Sequence, residues 1–221
     1  MAAEGISPVI KVLYVPDYVP VAQRITMVQE LNVKLSQLLP GYNVHLALAP
    51  GPFEDDDGVE GHFEKDALGG KLQGAKQIAA LKVDLHASVV KLARHAAMHK
   101  PRIIIGSGQG AVVATAYGHP ACLEQVMSTR NVQPVEANEI GPAWGNVAAI
   151  VIQEPRLSKK GLQLENLKLA APELFQLTPI PSRRTFAWTD MKVPHYNEIK
   201  LFHAAAHVEV VKDIGAVPFA A

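Results

Sequence analysis

The segment "GSGQG" at 106–110 sets one hydroxyl, Ser107, among three glycines, between an apolar "III" run and the small-residue stretch "AVVATAYG". Such a turn has two chemical uses. It can cradle phosphate on free N–H groups at a helix N-terminus, or hold a nucleophile on a sharp elbow beside an oxyanion hole. For phosphate, the pattern G-x-G-x-x-G breaks at Ala111 and the Walker lysine is missing. A nucleotide-binding α/β domain therefore stands only as an alternative. For a nucleophile, the available hydroxyl is Ser107, but that register puts Ile105 and Gln109 where an elbow needs small residues. The simpler role for Ser107 is a hydroxyl bonded to local backbone in a tight turn.

Other chemistry-bearing residues are weaker candidates. His95/His99 and His203/His207 form two H-x-x-x-H pairs, which share a face when helical. Neither has the glutamate of a zinc-protease motif, so they are expected to be boundary histidines at helix ends, and no metal is expected. "FEDDDGVEGHFE" (53–64) puts Asp55, Asp57, Gly58 and Glu64 at calcium-loop positions, but Phe53 stands where the first carboxylate is required. A solvated acidic surface loop is the expectation there. The one cysteine, Cys122, cannot form an internal disulfide.

The elements that must position these residues follow from periodicity. Residues 9–15 ("VIKVLYV") and 42–50 read as strands, separated by a helix over 22–39 whose apolar positions are Ile25, Val28, Leu31, Leu35 and Leu38. After the polar 51–70 loop, Ile78, Leu81, Leu85, Val89, Leu92 and Ala96 mark a long helix ending near Lys100-Pro101. "RIIIG" is the next strand and 109–118 the helix after the glycine turn. Residues 146–153, 183–189 and 207–213 read as three further strands, with helical stretches at "LENLKLAAPELF" and "HYNEIKLFHAAA" between them. Apolar strands alternating with amphipathic helices predict an α/β fold, a three-layer sandwich around a mostly parallel central sheet. Without an internal repeat or composition break, residues 1–221 are expected to form a single domain.

Twenty-one Lys and Arg balance 21 Asp and Glu, so no global field favours nucleic acid or an anionic membrane. No segment has the uninterrupted apolar length of a membrane span, and the N-terminus lacks the pattern of a secretory leader. The expected location is the cytoplasm, or an organelle reached with a transit peptide since removed.

With the elements placed, "IIIGSGQGAVVA" resembles the G-x-S-x-G elbow of the α/β-hydrolase superfamily, in the "GFSQGA" form of the small FSH-type serine hydrolases and the phospholipase/carboxylesterase group. Gly106 and Gly110 match the framing glycines and Gln109 the residue after the nucleophile; Gly108 stands where the serine should be. "VLYVPDYVP" resembles the first core strand and its oxyanion turn, which implies an N–H donor at Tyr18, with Pro16-Asp17 replacing His-Gly. "FAWTDMKVP" implies the triad acid at Asp190. "HVEVVKDIGAVPF" implies the triad histidine position at Ala216, or at Gly215 if the proline is aligned instead.

The resemblance thus implies an α/β-hydrolase-like fold with a degenerate triad, Gly108, Asp190 and Ala216, none of it intact as a catalytic set. Glycine offers no attacking oxygen and alanine no base. The expected function is that of a catalytically inactive pseudoenzyme acting as a binding, scaffold or accessory subunit. Tyr18, Ser107 and Gln109 are its expected ligand-binding residues, and no cofactor is needed. Its partner would be a protein or a small apolar ligand, in a larger assembly if a protein. The alternative is an active esterase or thioesterase using a nucleophile such as Ser107. A sheet flank left open near the C-terminus would offer a partner surface.

Overall fold

The computed structural model describes residues 7–55, 57–128, 132–159, 161–176, 185–188, 195–206 and 208–210. Chain order begins β1 (Val9–Val15), β2 (Val19–Pro20), α1 (Arg24–Leu38), β3 (Asn43–Leu48), β4 (Phe53–Glu54), β5 (Val59–Gly61) and α2 (Gly74–His99). It continues with β6 (Ile103–Ser107), α3 (Gln109–Gly118), α4 (Pro120–Met127), α5 (Pro134–Asn146), β7 (Ala149–Gln153), α6 (Leu164–Ala170), β8 (Thr185–Trp188), α7 (Tyr196–Ala205) and β9 (Glu209–Val210).

Six strands form one sheet in the order β3-β1-β6-β7-β8-β9, parallel at every pairing. The register runs straight across its middle, with Leu13 beside Ile104 and Ile104 beside Ile150. Leu13, Ile104, Ile150 and Ile152 are fully buried, which is why the strands read as continuous apolar runs rather than alternating ones.

Helices cover both faces. Leu35 of α1 packs with Val12, Val44 and Ile105 on one side; α2, α3, α4, α6 and α7 contribute to the larger core on the other. This is the α/β sandwich with a parallel central sheet that the sequence predicts. After β1 the chain moves outward to β3, and after α2 it returns past β1 to β6. The carboxyl ends of β1 and β6 therefore flank a topological switch point, where open α/β sheets form crevices.

Several expectations need correction. Of the apolar positions read for α1, Leu31 and Leu35 are buried, whereas Ile25 and Leu38 are exposed. Residues 146–148 are not strand: Asn146 ends α5 and Val147 caps it, so β7 begins at Ala149.

The 51–70 segment is not merely a solvated loop. It holds β4 and β5, which pair antiparallel and join β2 in a small second sheet. His62, Phe63 and Ala67 are buried. Polar residues on the inward face of α2 secure it: Ser88 Oγ donates to His62 O (2.6 Å), Asp84 accepts the Glu64 N–H (2.8 Å), and Lys91 donates to Gly51 O (2.7 Å). The predicted strand at 183–189 is described only from Thr185 to Trp188, and that at 207–213 only at Glu209–Val210. The sheet flank expected to be open lies beyond the described residues.

Candidate functional site

The glycine turn sits at the switch point. Gly106 and Gly110 are fixed by close approach: a Cβ on Gly106 would lie 2.6 Å from Gly110 O, and one on Gly110 would run into the backbone at Val15 and Pro16. Gly108 has φ 55 and ψ −120, a backbone state open to glycine and costly for other residues. The chain thus turns sharply from β6 into α3, all of whose residues are buried.

Gly108 is the N-cap of α3 but has no side chain with which to satisfy the first-turn donors. That task falls to Asp17, from the turn after β1. Asp17 Oδ1 accepts the Gln109 N–H at 2.8 Å, and a Cβ built on Gly108 would overlap the Asp17 carboxylate. Arg156 grips the other oxygen, with Nε 2.9 Å and Nη2 2.5 Å from Asp17 Oδ2.

Backbone contacts lock this arrangement to β7. The Gly108 N–H donates to Gln153 O (3.1 Å) and the Arg156 N–H to Gly108 O (3.2 Å). A carboxylate therefore lies where an elbow side chain would project, on the N–H that follows the elbow residue.

A cleft of about 1030 Å³ opens over this point. Tyr14, Tyr18, Met27 and Leu68 give it apolar wall; Asp17, Arg156 and Ser107 lie among its polar lining. Ser107 Oγ and the Tyr14 hydroxyl share a hydrogen bond of 2.7 Å. Burial raises the Tyr14 pKa against that bond, and the nearby Asp17 charge raises it further. Tyr18 is also raised, chiefly by burial. Glu154, at the rim, has a left-handed backbone at φ 45, uncommon for a residue with a side chain.

Of the expected ligand-binding residues, Tyr18 and Ser107 line the cleft. Gln109 is placed differently: its side chain is fully buried, with Oε1 accepting the His62 N–H (2.8 Å) and Nε2 donating to Leu157 O (2.7 Å). It braces two loops behind the elbow. His62 lies beside it, and burial lowers its pKa to about 3. The ring is thus neutral, and its Nε2–H donates to Pro16 O at 3.0 Å.

Asp190 and Ala216, with the alternative Gly215, lie outside the described residues, as does His207. His203 is not a boundary residue as expected: it is 2% exposed and burial lowers its pKa to about 4. His95 and His99 stack with ring centroids 6.1 Å apart. Among the described residues no three His, Cys, Asp or Glu side chains gather as a metal site. In the acidic loop, Asp55 Oδ1 accepts the N–H groups of Asp57 and Val59, which closes a local turn.

The residues that sequence reasoning overlooked as site members are Asp17, Arg156 and Tyr14. One signal pointed to Asp17: it falls where the resemblance expects His-Gly, in a chain with glycine at 108 where the resemblance expects serine. Nothing local to Arg156 marks it.

No protein-family model and no curated protein sequence matches this chain. Solved structures resemble it distantly. The carboxylesterase Cest-2923 from Lactobacillus plantarum WCFS1 is 15% identical, with 95% of this chain and 72% of that one covered at a TM-score of 0.41. A lipase/esterase from Lactobacillus plantarum is 15% identical, with 92% and 79% covered, also at 0.41.

Proposed function

We propose that this protein binds a ligand or partner at the cleft over Gly108 and does not hydrolyse it, serving as a pseudoenzyme on an α/β-hydrolase-like frame. The observation that carries this reading is the Asp17 carboxylate on the Gln109 N–H, in the volume next to Gly108. An acyl-transfer site needs that N–H free to receive an oxyanion. Here it already holds a negative charge, which would repel one.

Ser107 supports the same reading, since its hydroxyl is paired with the Tyr14 phenol. A phosphate in the glycine turn would meet the Asp17 charge as well, which weighs against nucleotide binding. Among the described residues no helix is long and apolar enough to cross a membrane.

The test is a fluorophosphonate probe together with chromogenic esters of short and medium chain. The expected outcome is no labelling and no turnover above the uncatalysed rate. Stoichiometric labelling of Ser107 would overturn the reading.

A further inference from the structure

The sheet ends at β3 in an unprotected edge. Among the described residues β3 pairs only with β1, in an unbroken register from Val9 beside Asn43 to Tyr14 beside Leu48. The Asn43 N–H donates to Pro8 O (3.0 Å) and the Ala49 N–H to Tyr14 O (2.8 Å), so the odd-numbered residues turn their backbone groups toward β1. The N–H and C=O groups of Val44, Leu46 and Leu48 therefore point away from the sheet, and no described residue takes them up.

Natural edge strands are blunted by a lysine, a proline, a bulge or an inward charge. "NVHLAL" carries none of these. Leu46 and Leu48 are only partly buried, with Leu46 at the margin of the cluster of Val12, Leu35, Val44 and Ile105. Val9, Leu38 and Tyr42 are exposed near the amino end of the strand: Val9 lies beside Asn43 in the ladder, and Tyr42 bonds to the residue after Leu38.

We propose that β3 docks a second copy of this chain, the two β3 strands running antiparallel about a twofold axis at Leu46 and joining the two sheets into one. In that register the strand is complementary to itself. Leu46 of one copy faces Leu46 of the other, and Val44 faces Leu48, each pair exchanging both backbone bonds. All the outward N–H groups of β3 are then satisfied. On the opposite face of the sheet His45 meets Ala47, and no charge meets a like charge. The reversal also brings Pro50 of one copy against the exposed Tyr42 of the other. A register centred on His45 would instead set that histidine against itself and leave Leu48 beyond the partner strand. Because the pairing is isologous it closes as a dimer and leaves no free β3 edge from which a fibre could grow. No β3 residue lines the cleft over Gly108, so the proposal stands apart from the function read there.

The experiment is sedimentation equilibrium of the full chain over a dilution series, with hydrogen exchange of the β3 amides measured on the same samples. Wild type is expected at about twice the mass of one chain. Leu46→Pro removes one outward donor and places its ring in the docking path, while the N–H groups that face β1 remain. Leu46→Lys sets two like charges face to face across the axis, and it serves if the proline variant does not fold. Both are expected to be monomers with native circular dichroism. The amides of Val44 and Leu48 are expected to exchange about tenfold or more slower in the wild-type dimer than in a monomeric variant. A wild type that is monomeric at every concentration would overturn the proposal. So would a dimer that survives in the folded variants, or one whose Val44 and Leu48 amides exchange as fast as in the monomer.

Discussion

The carboxylate of Asp17 occupies the volume that a side chain at position 108 would need. The two residues are therefore coupled: whatever enlarges one must displace the other.

Gly108→Ser is expected to destabilise the fold. The serine would be held at φ 55 and ψ −120 while it pushed Asp17 off the Gln109 N–H. Strain and overpacking together cost at least about 2 kcal/mol, read as a lower urea midpoint. Gly108→Ser/Asp17→Gly is expected to lose less than the two single losses added together. Strict additivity would mean the side chains do not share that space.

Gln109→Leu is expected to cost roughly 2–5 kcal/mol, because it leaves two buried backbone groups, the His62 N–H and Leu157 O, without their partner. Gln109→Glu should fare little better, since a carboxylate cannot donate to Leu157 O. Chemical denaturation of both variants measures this, and a near-neutral Gln109→Leu would mean that the brace is dispensable.

The pH profile has two opposing parts. Burial lowers His203 to about 4 and His62 to about 3 from 6.5, so the unfolded chain takes up these protons first. The contribution of these two histidines is complete above about pH 6.5 and falls as pH drops toward 4. Asp84 runs the other way: burial raises its carboxyl to about 6 from 3.8. Its contribution is present below the lower value and lost as pH rises through the higher one. Asp84→Asn is expected to stabilise the protein at pH 8 and to change little at pH 4. His203→Leu should flatten the acid limb. Urea midpoints at pH 4.5, 6 and 8 check both signs.

Glu198, in the first turn of α7, accepts the N–H groups of Leu162 and Leu164, both at 2.9 Å, and so caps the start of α6 from a neighbouring helix. Glu198→Ala is expected to cost about 1–3 kcal/mol. Glu198→Gln keeps one acceptor and should recover part of that loss, as thermal melting would show.

The parallel sheet and the elbow were legible because both depend on short-range rules. "VIKVLYV", "RIIIG" and the glycine spacing declare buried strands and a close backbone approach wherever they occur. The 51–70 segment was misread because its burial depends on partners supplied by α2. Ser88, Asp84 and Lys91 look like polar interruptions of an apolar helix until the fold sets them against Gly51, His62 and Glu64. α5 was hidden for a related reason: it carries Gly141 and Pro142 internally, which argue against a helix on propensity alone. At the site, Gly108 was named from its motif, whereas the Asp17–Arg156 pair is a tertiary product of two distant loops. Burial of His203 likewise follows from where α7 packs, which its boundary-like position in the sequence does not reveal.

A helix with no wet face exchanges its amide protons only when the molecule opens widely. Since every residue of α3 is enclosed, the amides of Val112 through Ala116 should be the slowest to accept deuterium. The Gln109 amide should exchange earlier, at the rate at which the aspartate lets go of it. That one proton thus gives a clock for how often the Asp17 carboxylate leaves the entrance of α3 in solution.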